Sequence, residues 1–360
     1  MRLSFPYMGP TIVYAKLLEL LGHDVVMPPR PNKEIIDLGV KYSPEFACFP
    51  FKVITGTYLK LMEQGVDTLV TSGGHGPCRA GYYGEVHKKI LHELGYDVEI
   101  IVIDSVRDDY KYFYQIAKRL KGNNSWLKVV QVLKIVYELT KALDEVEKKV
   151  EILRAYYDNT VINKIWLQAQ EDFYTVKDNS DIKKYKQRYL KKLAAYSDQI
   201  PAAEDRLKIG IIGEIFVVLE QSINNQIEEK VNRFGFEVER SQYLSDWIRE
   251  NILPFTANDL KEIEHKGEEF IEINIGGHAK ENIGHAIDFK ERGFDGIIHL
   301  KPFACLPELI SQSVMDDLSN KYDIPVLTIS IDEQTADANV LTRVEAFLDM
   351  IKEKNYREVM

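Results

Sequence analysis

Apolar segments rich in β-branched residues alternate with helical segments at both ends of this chain. In the first 105 residues, DTLVT and VEIIVI have the character of short buried strands. The helical segments between the strands end at Gly22, Gly65 and Gly95, since glycine commonly follows the last helical residue. From residue 207 the same alternation returns, with strands predicted in LKIGIIG, DGIIHL and PVLTISI. This pattern predicts parallel sheets with helices on their faces.

The segment between these two parts has a different character. Glycine nearly vanishes after Gly122, and Lys, Glu, Tyr, Leu and Val dominate the sequence. This composition predicts a long helical insertion with solvated charged faces, and a lid or a dimerisation element is the alternative. We therefore predict an α/β protein with two flavodoxin/Rossmann-like parallel-sheet domains at residues 1–105 and 206–360, and a helical insertion at residues 106–205.

Charge and hydropathy exclude several classes of function. The net charge of −10 and the pI near 5.4 argue against binding to nucleic acid or to anionic membranes, which requires a basic face. No apolar run approaches the ~18 residues of a membrane span, and the N-terminus lacks the features of a signal peptide. We expect a cytoplasmic protein, in which thiols stay reduced.

The pentapeptides FACFP at 46–50 and FACLP at 303–307 contain two of the three cysteines, Cys48 and Cys305. A proline two residues after each cysteine is typical of the first turn of a helix. Both cysteines are therefore predicted near helix N-termini, where the dipole favours a thiolate and lowers the thiol pKa. The repetition predicts that the two pentapeptides occupy equivalent corners of the two α/β domains.

The third cysteine, Cys78, follows a predicted strand in TSGGHGPCRAGYYGE. Ligand sites of open parallel sheets lie beyond the carboxyl ends of the strands, and glycines there allow close approach of a bulky group. These positions favour Cys48, Cys78 and Cys305 as metal ligands. Structural zinc usually has paired cysteines, whereas three thiolates would leave one iron of a four-iron cluster open. Zinc bound with His75, a nucleophilic cysteine and inert core cysteines are the alternatives.

Several stretches resemble the 2-hydroxyacyl-CoA dehydratase D-component superfamily, in its acyl-CoA dehydratase activase-related branch. They include LSFPYMG, KYSPEFACFPFK, GGHGPCRAGYYGE, GFDGIIHLKPFACLPE and YDIPVLTISIDEQT. The resemblance implies flavodoxin-like domains that hold a [4Fe–4S] cluster through three cysteines. It also implies a separate actin-like ATPase activator that supplies one electron for the radical removal of water from a 2-hydroxyacyl-CoA.

Carried over by position, the resemblance implies that Cys48, Cys78 and Cys305 are the cluster ligands. The residues implied around the cluster are Gly74, His75, Arg79 and Lys301, and the catalytic candidates are Glu85, Arg79 and Tyr82. Further positions that flank the ligands are Tyr83, Pro302 and Glu308, and Glu214 lies at a strand end of the second domain. His75 replaces a glycine of the family and is a fourth ligand, a hydrogen-bond donor to the cluster, or a solvent-facing side chain.

The expected function is low-potential electron transfer or reductive radical chemistry on a small substrate such as an acyl-CoA. The expected partners are a second copy or a homologous subunit, and the actin-like ATPase activator. A non-catalytic cluster carrier that docks the activator, and a zinc-stabilised ligand-binding protein, are the alternatives. The sequence contains no G-x-x-x-x-G-K-[ST] phosphate loop, so we assign no ATP hydrolysis to it. We expect a small anion site at His278 and His285, and a core position for His299.

Overall fold

The computed structural model describes residues 1–73, 78–103, 109–196, 200, 202, 206–252, 258–273 and 275–359. For residues 357–359 it describes the backbone and not the side chains. Gly74 and His75 lie outside the described residues. The described chain forms two four-stranded sheets in which all strands are parallel, surrounded by helices. The predicted α/β class with two parallel sheets is confirmed.

The first sheet has the strand order β2-β1-β3-β4. Its strands are β1 (Arg2–Ser4), β2 (Asp24–Val25), β3 (Thr68–Ser72) and β4 (Glu99–Ile103). The helices of this part are α1 (Thr11–Leu20), α2 (Lys33–Tyr42), α3 (Phe49–Met62) and α4 (Tyr83–Glu93). The sequence pattern did not predict α2, and α3 begins at Phe49 rather than at residue 58 as the pattern indicated.

The described part of residues 106–205, the segment predicted to be an insertion, contains four helices. They are α5 (Tyr110–Lys121), α6 (Trp126–Leu153), α7 (Asn159–Tyr174) and α8 (Asn179–Ala194). Each begins after an aspartate or a serine whose side chain accepts a hydrogen bond from the first turn, which compensates unpaired backbone N–H groups. The apolar faces of α6, α7 and α8 pack into a core of their own that α1 also joins.

The second sheet has the strand order β6-β5-β7-β8. Its strands are β5 (Lys208–Gly213), β6 (Glu237–Arg240), β7 (Gly296–Pro302) and β8 (Val326–Ile331). The helices are α9 (Ile215–Leu219), α10 (Ile227–Arg233), α11 (Leu244–Asn251), α12 (Asn258–Gly267), α13 (Ala279–Glu291), α14 (Leu306–Tyr322) and α15 (Asp337–Val359). None of the helices in the described ranges combines the length and the apolar character that a membrane crossing requires.

In the first part, α2 and α3 cross at very short range because two glycines face the opposite backbone. A Cβ atom at Gly39 would lie 1.8 Å from the carbonyl oxygen of Lys52, and one at Gly56 would lie 1.9 Å from that of Ile35. Any side chain at these positions would force the helices apart.

The pair α12 and α13 repeats this crossing in the second part. A Cβ atom at Gly267 would lie 2.1 Å from the carbonyl oxygen of Lys280, and one at Gly284 would lie 1.9 Å from that of Ile263. In each of these four helices, the residue whose carbonyl faces the partner helix lies four positions before the glycine. Together with the matching strand orders, this repetition shows that the two sheets belong to two copies of one structural unit.

This topology corrects the interpretation of the pentapeptides. Cys48 precedes α3, which leads into the third strand of its unit, whereas Cys305 follows β7, which is the third strand of the second unit. The topological equivalent of Cys305 is therefore Cys78, which follows β3. The prediction that FACFP and FACLP occupy equivalent corners is wrong, because both sequences mark a helix start and not the same helix.

Two sets of contacts join the parts of the chain. One apolar core contains residues of both units, among them Phe49, Leu69, Ile209 and Leu300. The insertion is joined to the second unit by a buried charge cluster. The Arg240 guanidinium lies 2.6 Å from a Glu147 carboxylate oxygen, 3.0 Å from one of Glu151 and 3.4 Å from one of Glu228. These contacts hold the two sheets and the insertion against one another.

The close crossing of α2 and α3 generates a stability prediction. We expect Gly56→Ala to lower the free energy of unfolding by about 1–3 kcal/mol, because the added methyl group overlaps the backbone of α2. Urea denaturation of the two proteins measures this. The control is Lys41→Ala on the exposed face of α2, which should change the stability by less than about 0.5 kcal/mol. An increase of about 1 kcal/mol in Gly56→Ala, as alanine gives in an unhindered helix, would contradict the crossing.

Candidate functional site

Each of the three cysteines precedes the first residue of a helix. Cys48 is the N-cap of α3 and Cys305 is the N-cap of α14, with a proline in the first turn of each, as the sequence predicted. Cys78 is the N-cap of a short 3₁₀ turn, Arg79–Tyr82. None of the three cysteine side chains accepts a cap hydrogen bond from the backbone of the helix that it precedes. Their thiols nevertheless lie at the positive ends of the helix dipoles of α3 and α14 and at the start of the 3₁₀ turn.

Hydrogen bonds between the flanking residues bring the three helix starts together. The N–H of Phe49 donates to the carbonyl oxygen of Phe303 at 3.3 Å, which links the two pentapeptides directly. Arg79, next to Cys78, donates through Nη1 to the Phe46 carbonyl at 2.7 Å and through Nη2 to the Ala304 carbonyl. The guanidinium therefore ties the segment of Cys78 to both pentapeptides, across the junction of the two units.

Burial controls the protonation of the thiols. Cys48 and Cys305 are buried and Cys78 is half-buried. Burial raises the pKa of Cys48 to about 11 and also raises the pKa of Cys78 and Cys305, with the nearby Glu214 carboxylate acting in the same direction on all three. The expectation of a lowered thiol pKa is therefore wrong for the protein by itself, because desolvation outweighs the helix N-termini. A metal would have to displace the protons.

Tyr83, the first residue of α4, lies directly against Cys48. Its hydroxyl contacts the Cys48 sulfur, and its ring packs edge-on against Phe51 with 4.9 Å between ring centroids. Burial raises the pKa of Tyr83, so the hydroxyl keeps its proton. A neutral phenol in this position can donate a hydrogen bond to a thiolate sulfur.

Glu308, three residues after Cys305, is fully buried in a polar network. One of its carboxylate oxygens lies 2.7 Å from His299 Nε2 and accepts a hydrogen bond of 3.0 Å from the Ser311 hydroxyl. Asn282 Nδ2 donates to the two carboxylate oxygens at 2.9 Å and 3.0 Å. His299 also contacts Thr328, so its assignment as a core histidine with satisfied partners is confirmed. The network fixes the first turn of α14 and with it the position of Cys305.

Glu214, like Glu308, is an acidic group of the second unit whose charge acts on the thiols. It is the N-cap of α9, where its side chain accepts a hydrogen bond from Val217 N–H at 3.1 Å. Burial raises its pKa to about 7, and the Glu308 carboxylate adds to this shift. The sequence analysis placed Glu214 at a strand end without assigning it to catalysis. The sequence feature that could have identified Glu214 as a site residue is its position directly after Gly213, the last residue of the buried strand β5.

The catalytic candidates taken from the resemblance lie on the outside of this junction. Tyr82 is 72% exposed, and Glu85 is exposed in the first turn of α4. Arg79 is exposed but has both ends of its guanidinium engaged. Lys301 is half-buried close to Cys305, and burial lowers its pKa. Of these residues, the structure gives Arg79 a definite role in the junction.

Exposed apolar side chains surround the cysteine segments. They belong to Phe46, Tyr82, Phe303, Leu306 and Leu309, and Phe46 is 78% exposed. Apolar side chains clustered at the surface commonly mark an interaction site. Among the described residues, no three His, Cys, Asp or Glu side chains are arranged to hold a single metal ion. His75, the further ligand weighed for zinc, is outside those residues.

Comparison with known proteins gives one informative match. Residues 3–71 match the family model of a CoA enzyme activase uncharacterised domain, a region that contains Cys48. Among solved structures, the chain is similar to a GTP-binding protein from the hyperthermophilic archaeon Sulfolobus solfataricus in complex with GDP. That similarity has 13% identity and a TM-score of 0.25, covers 98% of this chain and 100% of that chain, and is too weak to inform fold or function. No curated protein sequence matched the chain.

The Arg79 bridge generates a prediction for the accessibility of the thiols. We expect Arg79→Ala to increase the rate at which N-ethylmaleimide labels Cys48 and Cys305 about tenfold, the effect of losing about 1.4 kcal/mol from the closed junction. Both cysteines are less than a tenth exposed in the closed form. The measurement is mass spectrometry of each labelled cysteine in protein treated with a chelator.

The matched control is Arg119→Ala, which removes another exposed arginine, one paired with Glu99. Its labelling rates should equal those of the unmodified protein. Equal rates in Arg79→Ala as well would show that the arginine does not hold the junction closed.

Proposed function

We propose that this chain binds a [4Fe–4S] cluster through Cys48, Cys78 and Cys305 and acts in low-potential electron transfer or reductive chemistry on a small thioester. The observation that carries the proposal is the meeting of three cysteine-capped helix starts around Arg79. Three thiols are a donor set that iron–sulfur clusters use, and such a cluster, when bound, supplies a low-potential electron and an iron open to a further ligand. The match of residues 3–71 to a CoA enzyme activase uncharacterised domain supports the relation to CoA enzymes in this proposal.

The Tyr83 hydroxyl is the group of this chain that contacts a ligand sulfur directly, since it lies against Cys48. It can donate a hydrogen bond to that sulfur once a bound cluster has displaced the thiol proton. Hydrogen bonds to sulfur and the degree of exposure are among the factors that set a cluster's reduction potential. The tyrosine therefore gives the protein some control over that potential.

Glu214 is the residue that we assign to proton transfer. With a pKa of about 7 it has both protonated and ionised forms near neutral pH, as a general acid or base requires. The Val217 N–H orients its carboxyl group, and the carboxylate lies close enough to influence all three thiols. It can thus give a proton to, or take one from, a substrate bound beside the cysteines.

The ligand set connects the two structural units. Cys48 and Cys78 belong to the first unit and Cys305 belongs to the second, in the division at residues 1–105, 106–205 and 206–360 that we propose for the domains. A group bound by all three would cross-link the units and stabilise their closed arrangement.

A second function, a cluster carrier or partner subunit, is favoured by the exposed apolar residues around the site. Phe46, Tyr82 and Phe303 offer a contact surface directly at the proposed cluster. The partner would be an ATP-dependent activator, a second copy or a homologous subunit. An acyl-CoA titration distinguishes the two functions, because an enzyme's cluster spectrum changes with the substrate whereas a carrier instead loses its cluster to an acceptor protein.

The proposal predicts the metal content of anaerobically purified protein. We expect a brown protein with about four iron and four sulfide per chain. Each of Cys48→Ala, Cys78→Ala and Cys305→Ala should lose most of both, because two thiolates from the junction cannot hold the cluster. Iron and acid-labile sulfide assays with an absorption spectrum measure this.

His92→Ala is the control, since it removes a potential metal-binding side chain from the exposed face of α4. It should keep the full iron and sulfide content. A colourless protein with one zinc, or a cysteine variant with a full complement of iron and sulfide, would overturn the proposal.

A further inference from the structure

Positive charge is concentrated on α5 and on the first half of α6. Residues 110–137 include six lysines and arginines and no aspartate or glutamate. The whole chain has a net charge of −10 and this segment has one of +6, so the rest of the chain carries −16. The net charge of the whole chain, which argued against anionic membranes, therefore does not describe this part of the surface. The cations are Lys111, Lys118, Arg119, Lys121, Lys128 and Lys134.

Large apolar side chains are exposed on the same two helices. Leu127 is 70% exposed and Val130 is 61% exposed, although each is one residue from a position that faces the protein core. Apolar side chains clustered at a surface commonly mark an interaction site. The full set of exposed apolar residues is Tyr110, Tyr114, Trp126, Leu127, Val130 and Leu133.

The exposed apolar side chains of α6 are separate from those that pack into the core of the insertion. Trp126, Val130 and Leu133 recur at intervals of four and three residues, which places them on one face of the helix. A second stripe at similar intervals is buried, and it is this stripe that holds α6 in the fold. The exposed stripe is therefore left for a contact outside the described chain. The buried stripe consists of Val129, Val132, Val136 and Leu139.

Aromatic stacking joins the two helices into one surface. The ring of Tyr114 in α5 stacks on that of Trp126 in α6, with 5.3 Å between ring centroids. The turn between the helices is fixed by Asn124, whose Nδ2 donates to the Leu21 carbonyl at 2.7 Å and to the Lys121 carbonyl at 2.9 Å. The apolar groups of both helices are therefore held in place before any partner binds.

Most of the cations on this surface have no acidic partner. Arg119 is paired with Glu99. The ion pairs of the described residues include none of Lys111, Lys118, Lys121, Lys128 and Lys134. Their charge is therefore available to an external anion. The anion site expected at His278 and His285 is not supported, because burial lowers the pKa of His285 to about 4 and leaves this imidazole neutral at physiological pH.

The chemistry of the surface favours a lipid bilayer over other anionic partners. Lysine supplies five of the six cations, and lysine is depleted in protein–protein interfaces, where arginine is enriched. A second copy bound through the same surface would place like charges opposite each other. Nucleic acid offers little that would bury aliphatic side chains such as Leu127 and Val130. An anionic membrane accepts both kinds of group, because lysines, tyrosines and tryptophans suit the headgroup region and aliphatic side chains suit the acyl boundary.

We propose that α5 and the first half of α6 form a docking surface for an anionic membrane. Trp126, Leu127 and Val130 lie at the boundary between headgroups and acyl chains, and the lysines contact lipid phosphates. Buried apolar area and attraction to anionic lipids together set the strength of such binding. The docking is peripheral and does not depend on the proposed cluster, which lies at the junction of the two sheets.

Sedimentation with lipid vesicles tests the proposal on the full chain as purified. The probes are vesicles of phosphatidylcholine alone, and vesicles of phosphatidylcholine and phosphatidylglycerol in equal parts. We expect about 100-fold stronger binding to the anionic vesicles or more, since each lysine near such a surface adds about fivefold. Raising the ionic strength to about 1 M, where the Debye length is about 3 Å, should remove this preference.

Two results of this experiment would overturn the proposal. Equal binding to both kinds of vesicle would show that the lysines do not contact lipid. No binding to the anionic vesicles would show that the surface serves another partner, such as an acidic protein.

Variants locate the docking surface. Lys111→Ala, Lys118→Ala and Lys134→Ala combined should weaken binding to the anionic vesicles about 100-fold. Leu127→Gln should weaken it about tenfold, because the side chain no longer buries apolar surface in the membrane. All four side chains are exposed, so we expect the variants to fold.

The fluorescence of Trp126 reports on the contact directly. This indole is exposed, whereas Trp166 is buried and Trp247 is half-buried. We expect its emission to shift to shorter wavelength on the anionic vesicles, because the ring leaves water. Trp126→Phe should keep most of the binding and lose the shift. An unchanged shift in Trp126→Phe would place the contact elsewhere and overturn the assignment of α5 and α6.

Helix α8 offers the matched control, because it is also rich in lysine but exposes none of its large apolar side chains. It lies beside the C-terminal half of α6, where Lys186 contacts Glu145. Lys183→Ala, Lys184→Ala and Lys191→Ala combined remove the same charge from exposed positions and should leave vesicle binding unchanged. Equal weakening in the two triple variants would indicate attraction to overall charge, and would overturn the assignment of the docking surface.

Discussion

The guanidinium of Arg79 is the interaction on which the candidate site depends. Its two ends donate to the carbonyls of Phe46 and Ala304, which belong to different structural units and lie just before Cys48 and Cys305. A planar group with a fixed fork of donors can satisfy two acceptors at a defined separation, which a lysine at this position could not do. The arginine follows Cys78 in the sequence, so the same contact that joins the units also places the third thiol. The chemistry proposed for the site follows from this one junction.

The repeated helix crossing explains why the site has three thiols. When the sequences of the two units are aligned on the residues of the helix crossings, Lys52 of α3 matches Lys280 of α13. Counting back four residues from each lysine gives Cys48 in the first unit and Gly276 in the second. The position after the third strand has a cysteine in both units, Cys78 and Cys305. The duplicated framework thus gives two pairs of matching positions, Cys48 with Gly276 and Cys78 with Cys305, and Gly276 lies two residues before the N-cap of α13. Under the proposed function, this asymmetry leaves one cluster iron without a protein thiolate.

Sequence reasoning recovered the features that depend on local chemistry. The strands were predicted because buried parallel strands are continuous β-branched runs, and the cysteine N-caps were predicted because proline prefers the first turn of a helix. The equivalence of the pentapeptides was wrong, since an apolar residue, a small capping residue and a proline describe any helix start and contain no information on topology. The raised thiol pKa values were missed because they depend on burial, which the sequence does not show. The Arg79 bridge was missed because its bond to Ala304 joins residues that are 225 positions apart in the sequence. The helix α2 could have been predicted, because Asn32 is an N-cap whose side chain accepts a hydrogen bond from the Ile35 N–H and Glu34 follows in the first turn.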